Sequence, residues 1–381
     1  MITYVTAGAG HRRAAEAIAQ AMTQRAPDVD VQCIDLLSYA PGRFRAFYAW
    51  SYLFLVRHLS WVWRVSYHLL DWGPVYRCIQ PLRRAWNLFI ARRFIRELRV
   101  RPPDLVVATH FLPADVCSAG RRDGWLRAPL VVVVTDLYPH RFWISPDADL
   151  MVTATEAGLM VLLQSGVQAD HIRVLGIPVG AAFEAPVDRA ALQARFQLHP
   201  QRRTVLVTSG GTTVGQFERV VEALLSLEPI APGRLQLLVV CGEDERTRAR
   251  LSRRAESSVM PLRVFGFVDY MADLMGASDL VVAKAGGLTV SEALGRGLPL
   301  VLYHVIPGQE QMNASYVAQH GAAVIARRPG DVAQAVRRFL DDPGLAESMR
   351  QSAQDLGRPD AADAIVSKVI LPLLQHDRPD G

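Results

Sequence analysis

The sequence predicts a two-domain α/β protein made of two similar βα halves, each with its own parallel sheet. Three observations carry that prediction. Short apolar runs fit for buried parallel strands alternate with stretches of helical apolar spacing. Each half opens on such a run ending in a glycine-bearing turn, Ala7-Gly8-Ala9-Gly10-His11 in the first and Ser209-Gly210-Gly211-Thr212-Thr213 in the second. With 381 residues, of which 50% are apolar, the chain exceeds one ordinary domain and can fill two cores. The halves are placed at 1–178 and 204–360, joined by a linker at 179–203. A last helix, able to cross back to the first domain, and a polar tail occupy 361–381. No solenoid-type repeat and no low-complexity block interrupts this order.

In the first half, strands are predicted at 2–6, 104–110, 129–136, 149–155 and 172–179, and a helix at 14–22. The first turn lets a substrate approach the backbone at Gly10, and His11 sits where an imidazole can reach a reacting hydroxyl. A purely structural histidine is the competing reading. His110, Asp136 and His140 end or follow strands, where open α/β sheets place ligand contacts. Loop capping would explain them equally well.

Between 41 and 101 the composition changes. Five tryptophans, Trp61 and Trp63 among them, interleave with many arginines, including Arg83, Arg84, Arg92 and Arg93, against Asp71 and Glu97 as the only acids. Aromatic rings favour a membrane interface and clustered Arg attracts anionic lipid headgroups, which describes a surface that lies on a membrane. A helical insert with Trp in its core and a nucleic-acid face are the alternatives; no nucleic-acid motif accompanies the charge. The longest apolar stretch, 46–63, is broken by Arg57 and His58 and makes a poor spanning helix.

The second half carries strands at 204–208, 235–242, 262–268, 280–283, 298–305 and 322–325. Its most informative stretch runs from Asp279 to Asn313. There, a strand ends in Lys284, Gly286 and Gly287 before a helix through Leu288 and Thr289. Helix-start N–H groups with a lysine beside them suit a phosphate. Glu292 can accept hydrogen bonds from ribose hydroxyls, and Gln309 and Glu310 from those of a hexose. Alternatively, Thr289 and Glu292 form a helix capping box. The turn at Gly210, Gly211 and Thr212 can also meet phosphate. Phe267 and Val268 either flank a flat base or continue a core strand.

The formal charge of +5 points to an anionic partner: nucleic acid, membrane or a phosphorylated substrate. The cysteines Cys33, Cys78, Cys117 and Cys241 show no metal or disulfide spacing, and no signal-peptide pattern opens the chain. A reducing, cytosolic compartment is expected.

Taken together, the motifs resemble a known group. Lys284-Ala-Gly-Gly-Leu-Thr-Val-Ser-Glu292-Ala, then Pro307-Gly-Gln-Glu310 and Asn313, resembles the C-terminal half of GT-B glycosyltransferases of the family that includes MurG and the diacylglycerol glycosyltransferases. The turn ending in His11, the stretch TDLYPHRFW, and Gly176 to Val179 are similar to the monogalactosyldiacylglycerol synthases and bacterial diacylglycerol glucosyltransferases. The family's GGGH is GAGH in this chain. The resemblance implies a GT-B fold, two Rossmann-like domains facing across a cleft. It implies uracil on Phe267 and Val268, diphosphate on Gly210, Gly211, Thr212 and the turn 284–289, ribose on Glu292 and hexose on Gln309 and Glu310. The implied reaction is inverting transfer of a hexose from UDP-hexose to diacylglycerol at the inner face of the cell membrane. His11 is the first candidate base and Asp136 the rival; no metal or cofactor is expected. A MurG-like enzyme acting on an undecaprenyl-linked sugar, a UDP-sugar epimerase and a non-catalytic nucleotide-sugar-binding protein are the competing readings.

Overall fold

The computed structural model describes residues 1–6, 9–42, 45, 60–210 and 216–376. By their internal contacts they form two compact units: 1–181 with 306–312 and 360–381, and 182–305 with 313–359.

The first unit holds β1 (Ile2–Tyr4), β2 (Cys33–Asp35), β3 (Val106–Ala108), β4 (Leu130–Val133), β5 (Leu150–Thr153) and β6 (Ile172–Val174). All pairings are parallel, in the order β2-β1-β3-β4-β5-β6. β2 has no counterpart among the predicted strands. It is a three-residue edge strand with no buried residue, so burial leaves no apolar run to read.

Helices cover both faces of this sheet. α1 (Gly10–Arg25) places Ala15, Ile18 and Met22 against Ile2, Val107 and Val131. The run 361–376 joins the same cluster through Ile365, Val366 and Val369, and Arg25 grips Asp363 with two hydrogen bonds. α2 (Ser60–Asp71) packs on α3 (Gly73–Ile90), which lies on the other face with α4 (Arg92–Val100) and α5 (Phe111–Arg122). Ile90, Phe94, Leu98, Leu112 and Val116 pack there on Val106 and Val132.

The second unit holds β7 (Arg203–Thr208), β8 (Leu235–Val240), β9 (Leu262–Phe265), β10 (Leu280–Ala283), β11 (Leu300–Tyr303) and β12 (Ala323–Ala326). Their order, again all parallel, is β12-β11-β10-β7-β8-β9. β8 and β10 are buried along their whole length, which explains their unbroken apolar sequence. α6 (Gly287–Gly295) follows β10, and α7 (Gln309–Gln319) follows β11.

Each sheet has one topological switch, between β1 and β3 in the first and between β7 and β10 in the second. Strand carboxyl ends at a switch point are where open α/β sheets bind ligands. His11 follows β1, and Lys284 follows β10.

Candidate active site

At the switch of the first unit, His11 lies in the first turn of α1. Its Nδ1 is 2.9 Å from the Thr109 carbonyl oxygen and 2.7 Å from Thr135 Oγ1. A carbonyl can only accept, so Nδ1 carries the proton and the lone pair is on Nε2. Thr109 Oγ1 in turn donates to the His11 carbonyl at 2.9 Å, tying the end of β3 to the start of α1. Burial pushes the imidazole down to about 4, against the Thr109 hydrogen bond, which raises it. At neutral pH His11 is therefore uncharged and able to take a proton.

Asp136, just past β4, is 3% exposed. Its Oδ2 accepts from Trp143 Nε1 at 2.9 Å, and its Oδ1 accepts from the Gln309 amide. Burial pushes the carboxyl up to about 6, while the Gln309 and Trp143 hydrogen bonds pull it down. Trp143 links the two candidates for the base, its ring centroid lying 6.1 Å from that of His11. The structure thus brings both expected catalytic residues to one corner, and adds Thr109, Thr135 and Trp143. Sequence alone gave no role to these three. Thr135 and Trp143 open and close the stretch TDLYPHRFW, which was the signal for them, while Thr109 had only its place near the end of a predicted strand.

His110 and His140 make local capping contacts. His110 Nδ1 accepts from Leu112 N–H at 3.0 Å and caps α5. His140 Nδ1 accepts from Phe142 N–H at 3.1 Å, and its Nε2 donates to the Tyr67 carbonyl at 3.1 Å. Both ring nitrogens of His140 are committed inside the protein, so the loop-capping alternative describes it. Gly10 is the first residue of α1.

The switch of the second unit is built differently. After buried β10 the chain turns through Lys284, Ala285 and Gly286 into α6, and Gly286 at the N-cap position has no side chain with which to cap that helix. Its first N–H groups depend on another acceptor. A Cβ on Gly286 would meet nothing within 4 Å among the described residues, which leaves space over the turn. Buried Asn313 donates from Nδ2 to the Ala285 carbonyl at 3.2 Å and fixes the turn from below. Leu288 is buried, whereas Thr289 is the third residue of α6. The capping-box alternative therefore does not hold, because its Thr would have to precede the helix. Glu292 sits in the second turn, 4% exposed.

At the end of β7, Gly210 adopts φ 78°, a conformation that favours glycine, again with open space beside it. Gly211 and Thr212 lie outside the described residues. Phe267 is 58% exposed, a ring face available to a flat base, while Val268 is buried. His304, unremarked in the sequence, follows β11 with φ 46°; desolvation and the charge of Lys284 lower its proton affinity. A lone histidine after a buried strand gives no sequence signal.

Gln309 and Glu310, expected at the hexose, belong by their contacts to the first unit. Gln309 is on Asp136, and Glu310 Oε2 accepts from Ile306 N–H at 3.2 Å.

The Trp/Arg segment divides into an outer face and an inner one. Trp61, Val65, Leu69 and Trp72 recur at helical spacing and are exposed, as are Leu82, Trp86 and Phe89 on α3. Arg92 and Arg93 are exposed, and the Arg92 guanidinium lies 4.9 Å over the Phe89 ring. The Trp63 side chain lies outside the described residues. Arg83 and Arg84 depart from the expected docking role. Their side chains are only 12% and 17% exposed and face Asp115, with Arg83 at 3.1 Å. A guanidinium spent on a buried carboxylate does not reach a headgroup. Among the described residues no helix is long and apolar enough to cross a membrane.

Comparison with known proteins fits both halves. A family model described as monogalactosyldiacylglycerol (MGDG) synthase matches residues 11–179, and one described as glycosyltransferase family 28 C-terminal domain matches 204–365. The chain is 28% identical to a processive diacylglycerol beta-glucosyltransferase of Bacillus mycoides over 365 residues, covering 95% of this chain and 91% of that protein. It is 32% identical to a probable chloroplastic monogalactosyldiacylglycerol synthase of Glycine max over 370 residues, covering 94% of this chain and 68% of that protein. Among solved structures, MurG of Acinetobacter baumannii superposes with a TM-score of 0.64 at 16% identity, covering 97% of this chain and 99% of that one. A UDP co-structure of S. aureus MnaA gives 0.64 at 14% identity, covering 100% and 99%. At such identities the structures establish the GT-B fold, and the sequence relatives decide the family. The chain belongs to the monogalactosyldiacylglycerol synthase family of glycosyltransferases.

Proposed function

We propose that this glycosyltransferase moves a hexose from a UDP-sugar to the hydroxyl of diacylglycerol, with inversion, while lying on the inner face of the cell membrane. The observation that carries the reading is the state of His11. Its Nδ1–H is spent on the Thr109 carbonyl, leaving a neutral imidazole with its lone pair on Nε2. In the reaction, the acceptor oxygen forms a bond to the anomeric carbon as the bond from that carbon to the UDP oxygen breaks. The acceptor proton passes to Nε2, and the Thr109 carbonyl stabilises the imidazolium that results. Charge on the leaving diphosphate falls to Lys284 and the first N–H groups of α6, whose N-cap glycine brings no side chain of its own, donors fixed in place before the reaction.

The uracil would rest on Phe267 and the ribose on Glu292. Relatives named as diacylglycerol glucosyltransferase and monogalactosyldiacylglycerol synthase support the acceptor. Purified enzyme, diacylglycerol-containing liposomes and a panel of UDP-sugars should give a hexosyl-diacylglycerol identified by mass. Consumption of UDP-sugar to a soluble epimer, or UDP binding with no lipid product, would refute the assignment.

The docking face proposed for the membrane is Trp61, Trp72, Trp86 and Phe89 with Arg92 and Arg93; basic residues near an anionic surface contribute about 1 kcal/mol each. Replacing Trp61 and Trp86 by Ser together with Arg92 and Arg93 by Glu should abolish sedimentation with anionic liposomes and leave UDP affinity unchanged. Retained sedimentation would remove these helices from the membrane contact.

A further inference from the structure

Gln309 is committed to Asp136 by a built approach. Gly308 has φ 95°, and a Cβ there would lie 2.8 Å from the Tyr67 ring, so glycine is what lets the turn before Gln309 rest on that ring. Glu310 closes the same turn onto Ile306 N–H. The segment 306–312, Tyr67 and Asp136 all belong to the first unit. The Gln309 amide donates to one carboxylate oxygen of Asp136, and Trp143 donates to the other.

Among the described residues no cation contributes to holding that charge. Tyr67 faces Asp136 from α2 with its own ionisation suppressed by burial and by Asp136. Beyond Trp143 lie the rings of His11 and His110, both driven to the neutral form by burial. Two neutral donors thus do what a salt bridge would do elsewhere, and one of them is an amide whose chemistry also suits a sugar hydroxyl.

We propose that Gln309 has two successive partners: the Asp136 carboxylate while the donor is absent, and a hydroxyl of the donor hexose once it is bound. Donor arrival then frees one oxygen of Asp136 to hold the acceptor hydroxyl before its proton passes to His11 Nε2, so the donor binds productively before the acceptor. The proposal rests on the hexosyltransferase reading above. It makes Gln309 a positioning residue for Asp136 as well as a ligand of the sugar.

The consequence is measurable without turnover. Losing one hydrogen bond to its charged form raises the proton affinity of Asp136, so donor binding takes up protons just above pH 6. Calorimetry of UDP-glucose and UDP-galactose binding, in buffers of different ionisation enthalpy, counts them. The native protein should take up a substantial fraction of a proton, and Gln309→Ala and Asp136→Asn close to none from this source. In activity assays, Gln309→Ala and Trp143→Phe should both move the acidic limb of kcat/KM upward by about one pH unit, because that limb reports the free enzyme. Only Gln309→Ala should also raise the donor KM. A raised donor KM with an unmoved limb and unchanged proton uptake would show that Gln309 serves the sugar alone, overturning the proposal. A moved limb with an unchanged donor KM would show that it never leaves Asp136, which overturns it equally. Failure of the native protein to bind either UDP-sugar would refute the hexosyltransferase reading itself, and the proposal with it.

Discussion

The two units contain the same element at the same topological position, a strand running through a small-residue turn into a helix at the switch of a parallel sheet, yet the two turns are fitted for opposite tasks. In the first, space above the turn is filled. His11 is held by Thr109 and Thr135, flanked by Trp143 and His110, and stripped of charge by burial. In the second, no described residue fills the space over Gly286 and Gly210, and the N-cap of the helix is a glycine with no side chain to cap it. One turn offers a side-chain lone pair in a dry setting; the other presents the backbone N–H groups of a helix start. Topology sets where ligands meet the protein, and the residues within a turn or two of the strand end set which chemistry they meet.

The largest expected effect breaks the first turn alone. His11→Ala should lower kcat about 100- to 10,000-fold, the range typical of one general base, with UDP affinity unchanged by direct titration. Near-normal turnover would transfer the role to Asp136, and the contrast between a proton-handling turn and a phosphate-handling turn would have to be redrawn around that carboxylate.

A smaller effect isolates the second turn. Gly286 has φ −68°, which any residue adopts, and a Cβ there touches no atom of the described residues. Gly286→Ala should therefore leave the melting temperature within about a degree of the native value, as unstrained surface changes usually do. If a diphosphate occupies that space, UDP affinity should still fall by about tenfold, the weight of ~1.4 kcal/mol. Unchanged affinity would show that the open space is not where the phosphates lie.

Much of this was legible beforehand because buried parallel strands write themselves as apolar runs; β7 to β12 all appear where the periodicity predicts them. The glycine turns and Lys284 were equally visible, since few residue types permit those backbones and charges. What stayed hidden depends on distance in three dimensions. Thr109 and Thr135 are ordinary residues that become the orienting partners of His11 only when β1, β3 and β4 are aligned. Arg83 and Arg84 look like their exposed neighbours Arg92 and Arg93 by composition, and only the burial of Asp115 separates them. The capping-box pattern at Thr289 failed by register, because the glycines let α6 begin two residues before it.

The smallest effect concerns the environment of the first turn rather than its chemistry. Burial moves Asp136 up to about 6 and His11 down to about 4. Unfolded, these groups titrate near about 3.9 and 6.5. Between about pH 4 and 6 folded Asp136 holds a proton that the unfolded chain has lost, so its contribution to stability falls as pH rises, by at most about 3 kcal/mol. Over nearly the same interval unfolded His11 holds a proton that the folded chain lacks, so its contribution rises. The two slopes oppose each other, and the native protein should show little pH dependence from this corner. Asp136→Asn removes one arm of the balance. Relative to the native protein, its denaturation midpoint should climb more steeply from pH 4 to 6.5, and His11→Gln should show the opposite tilt. Parallel profiles for all three proteins would mean that the corner is wetter than its burial implies, and that His11 and Asp136 meet their substrate with ordinary proton affinities.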